Sequence, residues 1–155
     1  MSTCKLEELF SGNPDEWISA LQPYQKNIIN TLLDSGKSPE EISIQWLSAS
    51  GPANTFPFGA AGKEQGSSLF YEKLKEEVEA FFCEQAKYEE DRKKLLEQFN
   101  AGHTYIIGLI SVKISPIVGT SSAFIAPIIA LILFTIARIG LNAWCATLRA
   151  KNETQ

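Results

Sequence analysis

One histidine and three cysteines are all that this chain of 155 residues offers toward a His/Cys metal site or thiol chemistry. Cys4, Cys83 and Cys145 lie far apart and lack the paired spacing of a zinc site. An odd, sparse set of this kind reads as free thiols in a reducing compartment. His103 is the sole histidine, no Ser/His/Asp or Cys/His set is nominated around it, and the acids Glu89, Glu90 and Asp91 read as helix surface. The expectation is a protein that is not an enzyme and carries no cofactor or metal. The N-terminal "MSTCKLEELF" lacks a basic segment followed by an apolar core, so no cleavable signal is expected.

A second absence is more telling. No carboxylate occurs between Glu97 and Glu153, and Lys113 is the one charge in "YIIGLISVKISPIVGTSSAFIAPIIALILFTIA", residues 105 to 137. The charge is split along the chain. Residues 1 to 98 carry ten Lys/Arg against seventeen Asp/Glu, and residues 99 to 155 carry Lys113, Arg138, Arg149 and Lys151 against Glu153 alone. The apolar part is therefore the basic part.

The first hundred residues have helical punctuation. Asn13 and Pro14 open "NPDEWISAL", and Pro23 restarts the chain as "PYQKNIINTLLDSG", which Gly36 ends. Ser38, Pro39 and Glu41 form a capping-box start for "SPEEISIQWLSAS". Residues 1 to 50 are thus expected to make a small helical bundle. Residues 51 to 66, "GPANTFPFGAAGKEQG", with four Gly and two Pro, read as a loop. From 67 to 100 the apolar series Phe70, Leu74, Val78, Phe81, Phe82, then Leu95, Leu96 and Phe99, predicts amphipathic helix, as one long bent element or as two.

Two motifs fail on inspection. "GAAGKEQGSS" lacks the glycine spacing of a phosphate loop, and Lys63 is followed by Glu64 rather than Ser or Thr. Lys63 remains a weak candidate for an anionic ligand. "NTLLDSGKSPEEISIQWL" has the cadence of a helix-turn-helix, but its second helix carries Glu40 and Glu41 and no basic residue. Sequence-specific DNA binding is not expected, because phosphate contacts need cations.

Residues 101 to 148 then read as a transmembrane hairpin, with spans at about 103–119 and 122–146 around the turn Gly119–Ser122, and 149–155 as a tail. His103 and Arg138 each lie about seventeen residues from the turn, roughly 26 Å along a helix and close to a bilayer core of about 30 Å. Tyr105 and Trp144 join them at that level as boundary residues. "DRKK" at 91 to 94 precedes the hairpin, Arg149 and Lys151 follow it, and the turn is uncharged. The positive-inside rule then puts both termini in the cytoplasm. A buried hairpin in a soluble protein is the alternative. Against it, the helices before residue 100 look too poor in apolar surface to cover two helices that are apolar nearly all round. Lys113 either snorkels to the outer surface or lines a pore with Ser111 and Ser115. Gly108, Ser111 and Ser115 follow a small-residue spacing that permits close helix approach.

The expected fold is all-α: an N-terminal cytosolic helical bundle plus a C-terminal two-helix transmembrane hairpin, assembled as a homo-oligomer in the lipid bilayer. In order of parts, size and the hairpin "SVKISPIVG…SSAFIAPIIALILFTIARIG", the chain resembles the small two-span membrane effectors of bacterial antiphage defence, such as the Hailong-type ion-channel effectors. The resemblance implies a channel of the bacterial inner membrane, gated by the cytosolic helices and controlled by a nucleotide or oligonucleotide ligand or a nucleotidyltransferase partner. A membrane-tethered adaptor that positions a cytosolic partner is the second reading, and a holin-like lytic protein the third.

Overall fold

The computed structural model describes residues 8–50, 59–83, 88–97 and 102–153. Among them are eight helices and no strand, so the all-α class holds. The first three are α1 (Asp15–Ser19), α2 (Pro23–Asp34) and α3 (Pro39–Ser50). Then come α4 (Gly59–Phe82), α5 (Glu89–Glu97), α6 (His103–Val118), α7 (Ser122–Ile139) and α8 (Leu141–Glu153).

Local chemistry sets the ends of these helices. Pro23 occupies the first position of α2, where its missing N–H costs nothing. Gly36 takes φ +95° just after α2, a conformation that suits glycine. The capping box at α3 is formed in both directions: the Glu41 N–H donates to Ser38 Oγ at 3.1 Å and the Ser38 N–H to Glu41 Oε1 at 3.3 Å. The same contacts with Ser38 lower the Glu41 pKa below the ordinary carboxylate value. Asn13 accepts from the Asp15 N–H at 3.0 Å, so α1 begins at Asp15.

The loop expected over residues 51 to 66 is not what the backbone shows for its second half. Gly59 to Gly66 are already helical, the first turns of the 24-residue α4, and residues 51–58 lie outside the described residues. Two alanines and the absence of proline after Pro57 let α4 extend N-terminally despite three glycines.

The core lies around α7. Ten of its eighteen residues are buried, and it packs against α1, α3, α4, α6 and α8. Each surrounding helix turns one apolar stripe inward: Trp17 and Ile18 from α1, Ile42 and Leu47 from α3, and Leu74, Val78, Phe81 and Phe82 from α4. Burying such a side chain stabilises the fold by roughly 1.5–3 kcal/mol relative to exposure. Aromatic contacts tie the stripes together, with Phe10 against Trp17 at 5.6 Å and against Phe82 at 5.4 Å. One hydrophobic cluster runs from Leu9 to Leu148. The apolar supply before residue 100 is therefore sufficient, contrary to the expectation from composition. No single amphipathic helix could cover α7, but several converge on it.

Two further expectations change. The second span, expected over about 122–146, ends at Ile139: Gly140 takes φ +94° and ψ 144°, and α8 starts afresh at Leu141. The cysteines are not all free, because Cys83, just past α4, is bonded to Cys145 in α8. Cys4 lies outside the described residues.

Candidate membrane-active hairpin

The turn between α6 and α7 is built from small polar residues. Gly119 closes α6 in the left-handed conformation (φ +81°), and its N–H donates to the Ser115 carbonyl at 2.9 Å. Ser121 then caps α7, its hydroxyl accepting from the Phe124 N–H at 3.2 Å. From Ile114 to Ala137 no residue is charged. By length and composition α7 can cross a membrane, and α6, with sixteen residues, is a shorter apolar helix. Pro116 and Pro127 lie inside the two helices.

The two helices meet their surroundings differently. α7 is embedded, whereas α6 buries Ile106, Ile107, Ile110, Ser111 and Ile114 and turns its opposite side outward. On that outer side Tyr105 is 43 % exposed and Val112 57 % exposed, with Gly108 and Pro116 also exposed. None of the four is charged. Apart from the exposed Lys113 beside them, this outer side is uncharged, a property of deep cores and of membrane segments rather than of water-facing surfaces.

The three residues read as pore-lining face different ways. Ser111 is 1 % exposed and its hydroxyl has no hydrogen-bond partner among the described residues. Lys113 is exposed and pairs with Asp91 of α5, Nζ to Oδ1 at 3.4 Å. Ser115 is half-buried, its hydroxyl turned back toward the Val112 carbonyl at 3.4 Å. The bundle does not bring these three side chains together.

The boundary residues are likewise dispersed. His103 at the start of α6 lies 3.1 Å from Glu16 Oε2 and packs its ring on Trp17, centroids 4.3 Å apart. Thr104 anchors the same end by donating to the Ala20 carbonyl at 3.2 Å. Arg138 is exposed and lies over the Phe134 ring at 5.4 Å. Trp144 belongs to α8 and is buried in the core. Lys63 falls within α4, not in a loop, and its side chain lies outside the described residues.

The basic run at 91 to 94 has a structural role within the bundle. Arg92 is buried, and its Nη1 donates to the carbonyls of Ala80 (3.1 Å) and Phe81 (2.9 Å) in the last turn of α4. A cation there satisfies carbonyls that a helix end leaves open and matches the negative pole of its dipole. Lys93 and Lys94 remain exposed. Carboxyl and phenol groups of α4 and its neighbourhood feel the low dielectric: burial raises the Glu79 carboxyl, with Glu76 adding to it. Burial also raises the Tyr88 phenol, which donates to Glu77 Oε1 at 2.6 Å.

The partners of the hairpin were invisible in the sequence. Asp91, which pairs with Lys113, stood in a run read only as charge, and Trp46, whose indole N–H donates to the Phe124 carbonyl of α7 at 3.2 Å, lies 78 residues away from its acceptor. Neither had a local signature, because each contact joins distant segments. Among the described residues no group of three His, Cys, Asp or Glu converges to hold a metal ion. Comparisons with protein-family models, with curated proteins and with solved structures return no match.

Proposed function

We propose that this chain is a membrane-active protein whose α6–α7 hairpin inserts into a bilayer and assembles with other copies into an ion-conducting pore. The compact bundle is its resting form. The observation that carries this reading is α7 itself. It has no charge from Ser122 to Ala137, is apolar round its whole circumference, and is sheathed by amphipathic helices. Its eighteen residues extend about 27 Å, near the thickness of a bilayer core.

The energetics of such a change are permissive. Lipid tails are as apolar as leucine, so moving α7 from the bundle core to hydrocarbon forfeits packing but little hydrophobic free energy. The sheathing helices can lie in the interface with their apolar stripes toward lipid. Two spans cannot enclose a water path, so conduction requires several copies. In an assembly, Gly108, Ser111 and Ser115 allow close approach, and the Ser111 hydroxyl gains partners that the bundle does not give it. Lys113, released from Asp91, then faces the water path. The resemblance to two-span defence effectors extends the proposal to a bacterial inner membrane, with both termini cytoplasmic and a nucleotide or oligonucleotide signal as trigger.

The test is dye release from sealed vesicles, followed together with chemical cross-linking of the purified protein. Release that rises steeply with protein concentration, with a discrete cross-linked oligomer, is the expected result. A protein that stays monomeric and leaves vesicles sealed in every condition contradicts it. α7 would then be only the core of a bundle, and the adaptor reading would take its place.

A further inference from the structure

The segments that enter and leave the hairpin are both fastened at the end of α4. On the entering side, Arg92 of α5 holds the carbonyls of Ala80 and Phe81. On the leaving side, Cys145 of α8 is bonded to Cys83, one residue past α4. The disulfide spans 62 residues of chain, and the loop that it closes contains all of α5, α6 and α7. α4 packs on α6, α7 and α8, so this end of α4 is where the sheath is joined around the hairpin. The two fastenings differ in kind. The hydrogen bonds of Arg92 can exchange with water when the bundle opens, whereas the disulfide must be broken chemically.

We propose that Cys83–Cys145 is a redox clasp that keeps α7 sheathed, opened by a dithiol reductant. A reductant thiolate attacks one sulfur and forms a mixed disulfide, and the other cysteine leaves as a thiolate that takes up a proton. The second reductant thiol then attacks the mixed disulfide and releases the remaining cysteine. Two electrons and two protons pass to the protein, both cysteines end as thiols, and the reductant ends as a disulfide. Once reduced, α8 and α4 can part, and the hairpin can leave the bundle. This inference rests on the pore reading for what release accomplishes, but not for whether release occurs.

The experiment uses the full chain with Cys4→Ser, so that no other disulfide can form, in oxidised and dithiothreitol-reduced states, beside a Cys83→Ser/Cys145→Ser form. Two readouts are taken: hydrogen exchange of the α7 amides in buffer, and dye release from vesicles. The clasp predicts that reduction speeds α7 exchange by at least about tenfold while helical circular dichroism is kept. It predicts that the double variant behaves as the reduced form in either state, and that release follows the same order. Faster exchange with vesicles sealed in every state upholds the clasp and removes the pore reading. Equal exchange in the two states overturns the clasp, and so does dye release that occurs to the same extent in both, an outcome that leaves the pore reading standing. A reduced form that loses its helical signal altogether also overturns it, because the bond would then be a staple of the fold and not a latch on α7.

Discussion

At the scale of the residue, Arg92 does the most with one side chain. Its guanidinium lies buried between α4 and α5 and satisfies two carbonyls that would otherwise face a dry interior. Arg92→Ala should destabilise the fold by about 2–4 kcal/mol in chemical denaturation, since it strands those carbonyls. Arg92→Lys should recover only part of this, because an ammonium lacks the planar fork. A loss below about 0.5 kcal/mol for Arg92→Ala would mean that the residue is a surface charge after all. Glu79 of α4 gives a second test. Its pKa is raised in the fold, so the native state keeps its proton longer than the unfolded chain. The stability that this contributes is complete below the ordinary carboxylate value of 4.5 and is lost as pH rises through the folded pKa. The melting temperature of the natural chain should therefore fall more steeply with pH above that value than that of Glu79→Gln. Parallel curves would contradict the assignment.

At the scale of the element, the break at Gly140 decides how the apolar third is organised. Gly140 has φ +94° and ψ 144°, with open space where a Cβ would point, so the cost of a side chain there is one of backbone conformation alone. Gly140→Ala should cost about 1–3 kcal/mol if the chain must turn there. In a helix that ran straight through, the same change would stabilise by about 1 kcal/mol. The sign of the measured change in unfolding free energy separates the two. This break was hidden in the sequence because apolar residues continue on both sides of it, and a lone glycine is ordinary within membrane helices. The Ser38–Glu41 box, Pro23, Gly36 and the Gly119–Ser121 turn were legible, since each acts within a few residues. The extension of α4 back to Gly59 was not, because three glycines and a preceding proline argue locally for a loop.

At the scale of the whole molecule, the sequence suggested two parts and the structure joins them in one core. What composition could not supply was convergence: Trp17, Leu47, Leu74 and Phe82 are modest stripes singly, and together they wrap α7. Long-range pairs such as Cys83–Cys145, Lys113–Asp91 and Trp46–Phe124 were unreadable for the same reason. On the proposed function the apolar hairpin uses two environments, the bundle interior and the bilayer. Photo-cross-linking to lipids that carry a diazirine in the acyl chain, mapped by mass spectrometry on the reduced, vesicle-bound protein, measures this directly. Insertion of the hairpin predicts adducts on α7 positions that the bundle buries, Ile129 and Leu133 among them. Adducts confined to the outer side of α6, or none at all, would contradict it.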